Sequence, residues 1–338
     1  MLYDGVSGHS ILGVKPKKHT AGPDNLKNAI GYLAYPNPTL QNHIPNRLFY
    51  EYDRLHHSHA PLLKPLAAYS TSGKLTQSVT KAQYVKKIHQ IKELLAAGEV
   101  YQINYAIRFR KKLSGDPYAL FHRLASTNPA SFSAYLNCGN FHILSCSPER
   151  LFKTSGDTII TQPIKGTISK SGGRNALAKL LNNEKERAEL DMITDLERND
   201  IGKICRYSTL KLTKEREVME LPNLWHTYSE VRGKLSPHIR PSQILAALFP
   251  GGSITGCPKL RAMEYIETLE RLPRNIFTGS IGYLSHGVMD FNIAIRTALI
   301  HNGIVEYWAG GGIVYDSDPE KEYAECLLKA EKFLALLC

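Results

Sequence analysis

The sequence predicts an α+β fold, an arrangement of large antiparallel sheets with helices laid outside them. Three observations predict it. In VYQINYAIRF, Tyr101, Ile103, Tyr105, Ile107 and Phe109 alternate with Gln102, Asn104, Ala106 and Arg108, the period of a strand. The long run from Gly279 to Tyr315 is strand-like and is broken by two short turns, SHG and HNG, which read as hairpins. Helical stretches interrupt groups of such hairpins and do not alternate with single strands, which argues against a parallel βαβ sheet.

Along the chain, residues 1–80 are rich in Pro, His, Asn and Ser. They hold two short apolar patches, around Ile30 to Tyr35 and Arg47 to Tyr52. They read as a shortened N-terminal portion with some strands, packed on a main domain over 81–338. Thr80 begins a capped helix in which Tyr84, Ile88, Ile91 and Leu95 recur at helical spacing and Gly98 can end it. The alternating strand follows. FSAYL–NCGN–FHILSC and RLFKT–SGD–TIITQPI then read as two hairpins. Helices are expected over about 174–205, over 241–249 with 258–270, and over 318–337.

Composition narrows the class. The chain has 338 residues, 43% of them hydrophobic and 22% charged, a globular balance that excludes a largely disordered chain. No apolar run approaches the ~18 residues of a spanning helix, so no membrane role is expected. MLYDGVSGHS lacks a basic flank and an apolar core, so no secretion signal is expected there. Six scattered cysteines form no CxxC pair, which argues against a zinc ribbon and suits reduced thiols in a cytoplasmic protein. The net charge of +11 admits nucleic acid, an acidic membrane surface or a small anionic substrate as partner. The basic clusters, Lys15 to His19 and Arg108 to Lys112, are short and unframed by any nucleic-acid motif, and read as solvated surface.

Four features could carry chemistry. In NNEKERAELDMITDLERND, Glu186 and Glu189 lie three apart, on the side of Met192, Ile193 and Leu196. In SDPEKEYAECLLKAEKF, Asp318 and Pro319 begin a helix on which Glu322 and Glu325 again lie three apart. Two such pairs suit a hard cation such as Mg²⁺. The same spacing also fits solvated charge runs. LFPGGSITGCPKL places a Gly-rich loop before a helix, which could hold an anion or could only make a tight turn. It is not a Walker A loop, because Cys257-Pro258-Lys259 follows Gly256. Lys165 in TQPIKGT, Glu149 in CSPERLF and His226 in LWHTYS are a possible nucleophile, acid and structural histidine that physics alone does not single out.

Taken together, SCSPERLF, TQPIKGT, KERAELDMITDLERND, LPNLWHTYSEVRG, LFPGGSITGCPKLRAM, GSIGYL, FNIAIRTA and WAGGGIVYDSDPEKEYAE resemble the motifs of the chorismate-utilising enzymes, in the same order, over about residues 80–338. The resemblance implies an anthranilate synthase component I-like sandwich of two large antiparallel sheets, helices outside, with the active site in a cleft between the sheets. It implies Lys165 as nucleophile, Glu149 as general acid and His226 near the reacting ring. It implies Gly166, Thr167, Thr255, Tyr283, Arg296, Gly310 and Gly312 as positions binding chorismate. It implies Glu186, Glu189, Glu322 and Glu325 as Mg²⁺ ligands.

Two positions discriminate within the family. Lysine at 165 is the pattern of members that make 4-amino-4-deoxychorismate; anthranilate- and isochorismate-forming members usually carry alanine there. Isochorismate and salicylate members use a general-base lysine where this chain has Gln102, so ammonia and not water is the implied nucleophile. No glutaminase module accompanies these motifs, which implies ammonia from solution or from a glutamine amidotransferase subunit. Typical members have a longer N-terminal part, which holds a tryptophan pocket. Cys257 and Cys326 replace small residues of the family pattern.

Overall fold

The computed structural model describes residues 1–59, 62–220 and 224–338. Every strand pair described is antiparallel, and the strands form two ten-stranded sheets. The first sheet runs Gly256–Cys257, Gln102–Gly115, Ile304–Ile313, Thr297–His301, Phe141–Ser147, Phe132–Asn137, Leu2–Tyr3, Ser10–Leu12 and His56–Ser58, with Tyr69–Gln77 also paired to Gln102–Gly115. The second runs Ile164–Ser169, Leu224–Lys234, Thr158–Thr161, Arg150–Ser155, Val288–Asn292, Ser280–Ser285, Asn28–Leu33, Arg47–Glu51 and Lys18–Thr20, with Lys211–Glu220 also paired to Leu224–Lys234. The α+β class and the expected hairpins are therefore present. Strands from the first 80 residues complete both sheets, so that portion is woven into the sandwich.

Seven helices are described: α1 Lys81–Ala96, α2 Pro117–Thr127, α3 Gly173–Leu181, α4 Glu184–Gly202, α5 Pro241–Leu248, α6 Lys259–Glu270 and α7 Pro319–Leu334. The stretch expected as one helix over 174–205 is two. Asn183 ends the continuity because its side chain accepts from the Glu186 N–H at 3.2 Å and so caps α4. α2 was not expected from periodicity, yet Asp116 caps it and Pro117 takes its first position. The Leu221-Pro222-Asn223 start of one quoted motif lies outside the described residues.

Three apolar layers hold the sandwich. α1, α2, α6 and α7 cover the first sheet through residues such as Tyr84, Phe121, Ile266 and Phe333. Ile30, Tyr32 and Ile281 from one sheet meet Ile143 and Leu299 from the other. α4 and α5 cover the outer face of the second sheet, where Ile201 and Leu248 join Phe152, Val231 and Phe291. Each such fully buried side chain contributes about 1.5–3 kcal/mol. One buried ion pair also serves the site. Arg274 meets Glu270 at 2.6 Å and donates to the carbonyls of Asn104 at 2.7 Å and Ile254 at 3.3 Å, tying the Gly-rich loop to the Gln102–Gly115 strand. No helix among the described residues is long and apolar enough to cross a membrane.

Candidate active site

The site forms where α4, on the second sheet, meets α7, on the first. Lys165 pairs with Thr227, and Val231 lies four residues further along the same strand face, which α4 covers. A bulge at Gly166, φ +70°, follows Lys165. A side chain at 166 would press to 2.8 Å from Leu180 and 2.9 Å from the Thr227 hydroxyl, so glycine is required there. Beyond the bulge, Thr167 and His226 bond at 2.7 Å between Oγ1 and Nδ1, and burial lowers the His226 imidazole below its usual range.

The Lys165 Nζ lies 3.9 Å from Glu189 Oε2. Its charge also reaches Glu149 and Glu325. Glu149 is 8% exposed, and burial raises its carboxyl above the ordinary range against the opposing influence of Lys165, Ser253 and Arg296. Ser253 donates to Glu149 Oε1 at 3.2 Å from the Gly-rich loop. That loop packs so closely on α4 that a side chain at Gly252 would meet Leu196 at 2.2 Å. Glu149 is thus a carboxyl kept prone to hold its proton beside an amine.

The four helix glutamates approach from α4 and α7. Burial raises the Glu189 carboxyl, with Glu186 and Glu322 pushing the same way and Lys165 and Lys185 opposing. Glu322 is buried and accepts from Ser317 Oγ at 2.7 Å. Burial works to raise Glu325, but Lys329, at 2.7 Å, with Lys185 and Lys165, outweighs it and holds the carboxyl below its usual value. An all-oxygen set of this kind fits a hard divalent cation. Among the described residues no three His, Cys, Asp or Glu side chains are gathered tightly enough to enclose an ion as they stand. Lys329 also donates to the Gly310 carbonyl at 3.1 Å.

The remaining expected substrate positions divide. Side chains at Gly310 or Gly312 would collide with the Tyr105 carbonyl and with Gln102 Nε2, so both glycines allow a close approach to the neighbouring strand. Gln102 and Asn104 beside it carry buried amide atoms with no partner among the described residues. Arg296 is exposed, at φ +50°, with its charge felt by Glu149 and His226. Thr255 is fully buried, and its hydroxyl donates to the Gly251 carbonyl at 2.9 Å within the Gly-rich loop.

Tyr283 is not brought to Lys165. It pairs with Asp290 and lines a separate cavity of about 420 Å³ with Tyr3, Phe132, Arg150, Ile164 and Met219. Ile164 turns into that cavity, and strand alternation turns Lys165 to the opposite face. Ser253 and Lys185 were not expected from the sequence. Ser253 sat inside the Gly-rich loop already singled out, whereas Lys185 has no signal beyond a charge run.

A family model described as chorismate binding enzyme matches residues 26–335. The chain is 43% identical over 265 residues to aminodeoxychorismate synthase component 1 of Escherichia coli, covering 77% of this chain and 58% of that protein. It is 38% identical over 294 residues to an anthranilate synthase component I-like protein of Synechocystis, covering 84% and 59%. It is 36% identical over 260 residues to anthranilate synthase component 1 of Thermus thermophilus, covering 75% and 56%. The chain thus spans somewhat under three-fifths of the length of these relatives. Among solved structures, anthranilate synthase component I of Streptococcus pneumoniae superposes with TM-score 0.83 at 25% identity, covering 96% of this chain and 92% of that one. The menaquinone-specific isochorismate synthase of Escherichia coli shares the fold, with TM-score 0.79 at 19% identity, covering 100% and 88%.

Proposed function

The chain belongs to the chorismate-binding enzymes, and on that premise we propose that it is an aminodeoxychorismate synthase component I, converting chorismate and ammonia to 4-amino-4-deoxychorismate. The observation that carries this reading is Lys165, a lysine on the strand face under α4, 3.9 Å from Glu189 and within the electrostatic reach of a buried, proton-retaining Glu149. The similarity to aminodeoxychorismate synthases of Escherichia coli and Bacillus subtilis, at 43% and 39% identity, supports it.

In this mechanism the Lys165 amine attacks C2 of chorismate, the ring double bonds shift, and the C4 hydroxyl leaves as water with the proton from Glu149. Ammonia then attacks C4, the double bonds shift back, and the Lys165 amine departs from C2. Two displacements place nitrogen on the carbon that lost oxygen, with configuration retained. Arg296, Gly310 and Gly312 would receive the substrate's carboxylates. Glu186, Glu189, Glu322 and Glu325 would hold Mg²⁺, which when bound supplies positive charge for the ring carboxylate. Ammonia would come from a glutamine amidotransferase partner or from solution. The six cysteines are free, which suits a cytoplasmic enzyme.

The test is incubation with chorismate, Mg²⁺ and ammonium, followed by mass analysis. 4-Amino-4-deoxychorismate without pyruvate supports the reading. Anthranilate with pyruvate would assign the chain to anthranilate synthesis instead, in line with the relatives of that name. Binding without turnover would leave a chorismate-binding protein.

A further inference from the structure

Glu197 is a buried carboxyl that the mechanism above does not use. It lies on α4 about two turns beyond Glu189 and is 6% exposed. Its Oε2 is 2.5 Å from Thr161 Oγ1, and its Oε1 has no partner among the described residues. Thr161 Oγ1 also lies 2.8 Å from the Leu151 carbonyl oxygen.

A threonine hydroxyl carries one proton. It cannot donate to both neighbours, and the carbonyl has no proton to give. Both contacts are hydrogen bonds at once only when Thr161 donates to Leu151 and a protonated Glu197 donates to Thr161. An unpartnered buried Oε1 also suits the carbonyl oxygen of a neutral acid better than half of a carboxylate. Burial pushes the Glu197 carboxyl up to about 8 against the Thr161 hydrogen bond, with Glu149 and Asp200 acting in the same sense as burial and Lys259 opposing. Asp200 is itself paired with Lys203 at 2.8 Å and with Lys259.

The resulting chain of hydrogen bonds, from Glu197 to Thr161 to Leu151, links three segments that carry the proposed chemistry. α4 carries Glu189. The strand ending at Thr161 leads within four residues to Lys165. Leu151 stands two residues from Glu149. We propose that Glu197 is a positioning residue of this active site, a neutral acid whose proton latches α4 to the strands that carry Lys165 and Glu149. The inference rests on the reading of the site as that of an aminodeoxychorismate synthase. Because burial raises this carboxyl, the latch is closed below its titration and opens above it. In the ionised form the single Thr161 proton turns to the carboxylate, so the Leu151 carbonyl loses its donor and the chain is broken there, while a negative charge is placed near Glu149.

The test uses the full chain as wild type, Glu197→Gln, Glu197→Leu and Thr161→Val. Glutamine stays neutral at every pH and can still donate to Thr161. The infrared difference between wild type and Glu197→Gln should show a protonated carboxylic acid near neutral pH that disappears as pH rises through about 8. At saturating chorismate and constant free ammonia, wild-type kcat should fall about tenfold per pH unit above that point. Glu197→Gln should stay within about threefold of wild type at neutral pH and lack that fall, whereas Glu197→Leu and Thr161→Val should lose about tenfold throughout. No acid band in the wild type, or the same alkaline fall in Glu197→Gln, overturns the latch. A wild type that turns over no chorismate overturns the assigned reaction and with it the positioning role, while the infrared band still decides where the proton sits.

Discussion

Two sets of carboxyl groups stand at and behind the candidate site, one buried against hydroxyl groups and one among lysines. Glu149 and Glu197 are buried, each is bonded to one hydroxyl group, and both are pushed toward their protonated forms, Glu149 against the opposing charge of Lys165. The α4 and α7 glutamates stand among lysines: Glu189 lies 3.9 Å from both Lys165 and Lys185, and Glu325 lies 2.7 Å from Lys329. Glu325 is 55% exposed and held ionised below its usual range. Glu325 is thereby set apart from Glu149 and Glu197, while Glu189, which burial pushes up despite its two lysines, stands between them. Desolvation favours the protonated carboxyl, and surrounding positive charge favours the anion.

The largest break in that contrast should come from Glu149→Gln. It keeps shape and neutrality but cannot release a proton, so kcat should fall about a thousandfold with the fold intact. In the wild type the proton leaves as pH rises through the raised value of this carboxyl, so activity should decline there. The residual activity of the variant should lose the limb that belongs to Glu149 and keep the fall near 8 assigned to Glu197, which a pH series of product formation would read. On the helix side, Glu189→Ala or Glu325→Ala should each cost about a hundredfold at saturating Mg²⁺. Full activity in both would reduce the helix glutamates to solvated charge.

How much of this was legible in the sequence follows from locality. The hairpins around Asn302-Gly303 and His286-Gly287 are short-range features, since turn residues and alternation lie next to each other. The partnership of Lys165 with Glu189 joins α4 to a strand only through tertiary packing, so motif resemblance and not spacing pointed to it. Tyr283 shows what a motif leaves open. It lies in a quoted match, and only the fold shows that it lines the cavity of about 420 Å³ with Arg150 and Ile164. Glu197 lies inside DLERND and was not singled out, because nothing local marks which residue of a charge run turns inward. Asn183 was likewise overlooked as a cap within a continuous helical pattern, since its polar neighbours hide the break.

Two smaller effects sharpen these points. Tyr283→Phe should leave kcat and KM for chorismate within about twofold, whereas a tyrosine touching substrate would lose more. Asn183→Ala should lower stability by about 1 kcal/mol in denaturant unfolding and leave the Lys165–Glu189 contact in place.

The most direct measurement of the central claim is intact mass of the protein after incubation with chorismate and Mg²⁺ while ammonia is withheld. The account predicts a covalent gain equal to chorismate minus water, localised to Lys165 by peptide mapping, and absent from Lys165→Ala, which should also make no aminodeoxychorismate. Normal aminodeoxychorismate synthesis by Lys165→Ala would contradict the account and leave direct addition of ammonia in its place.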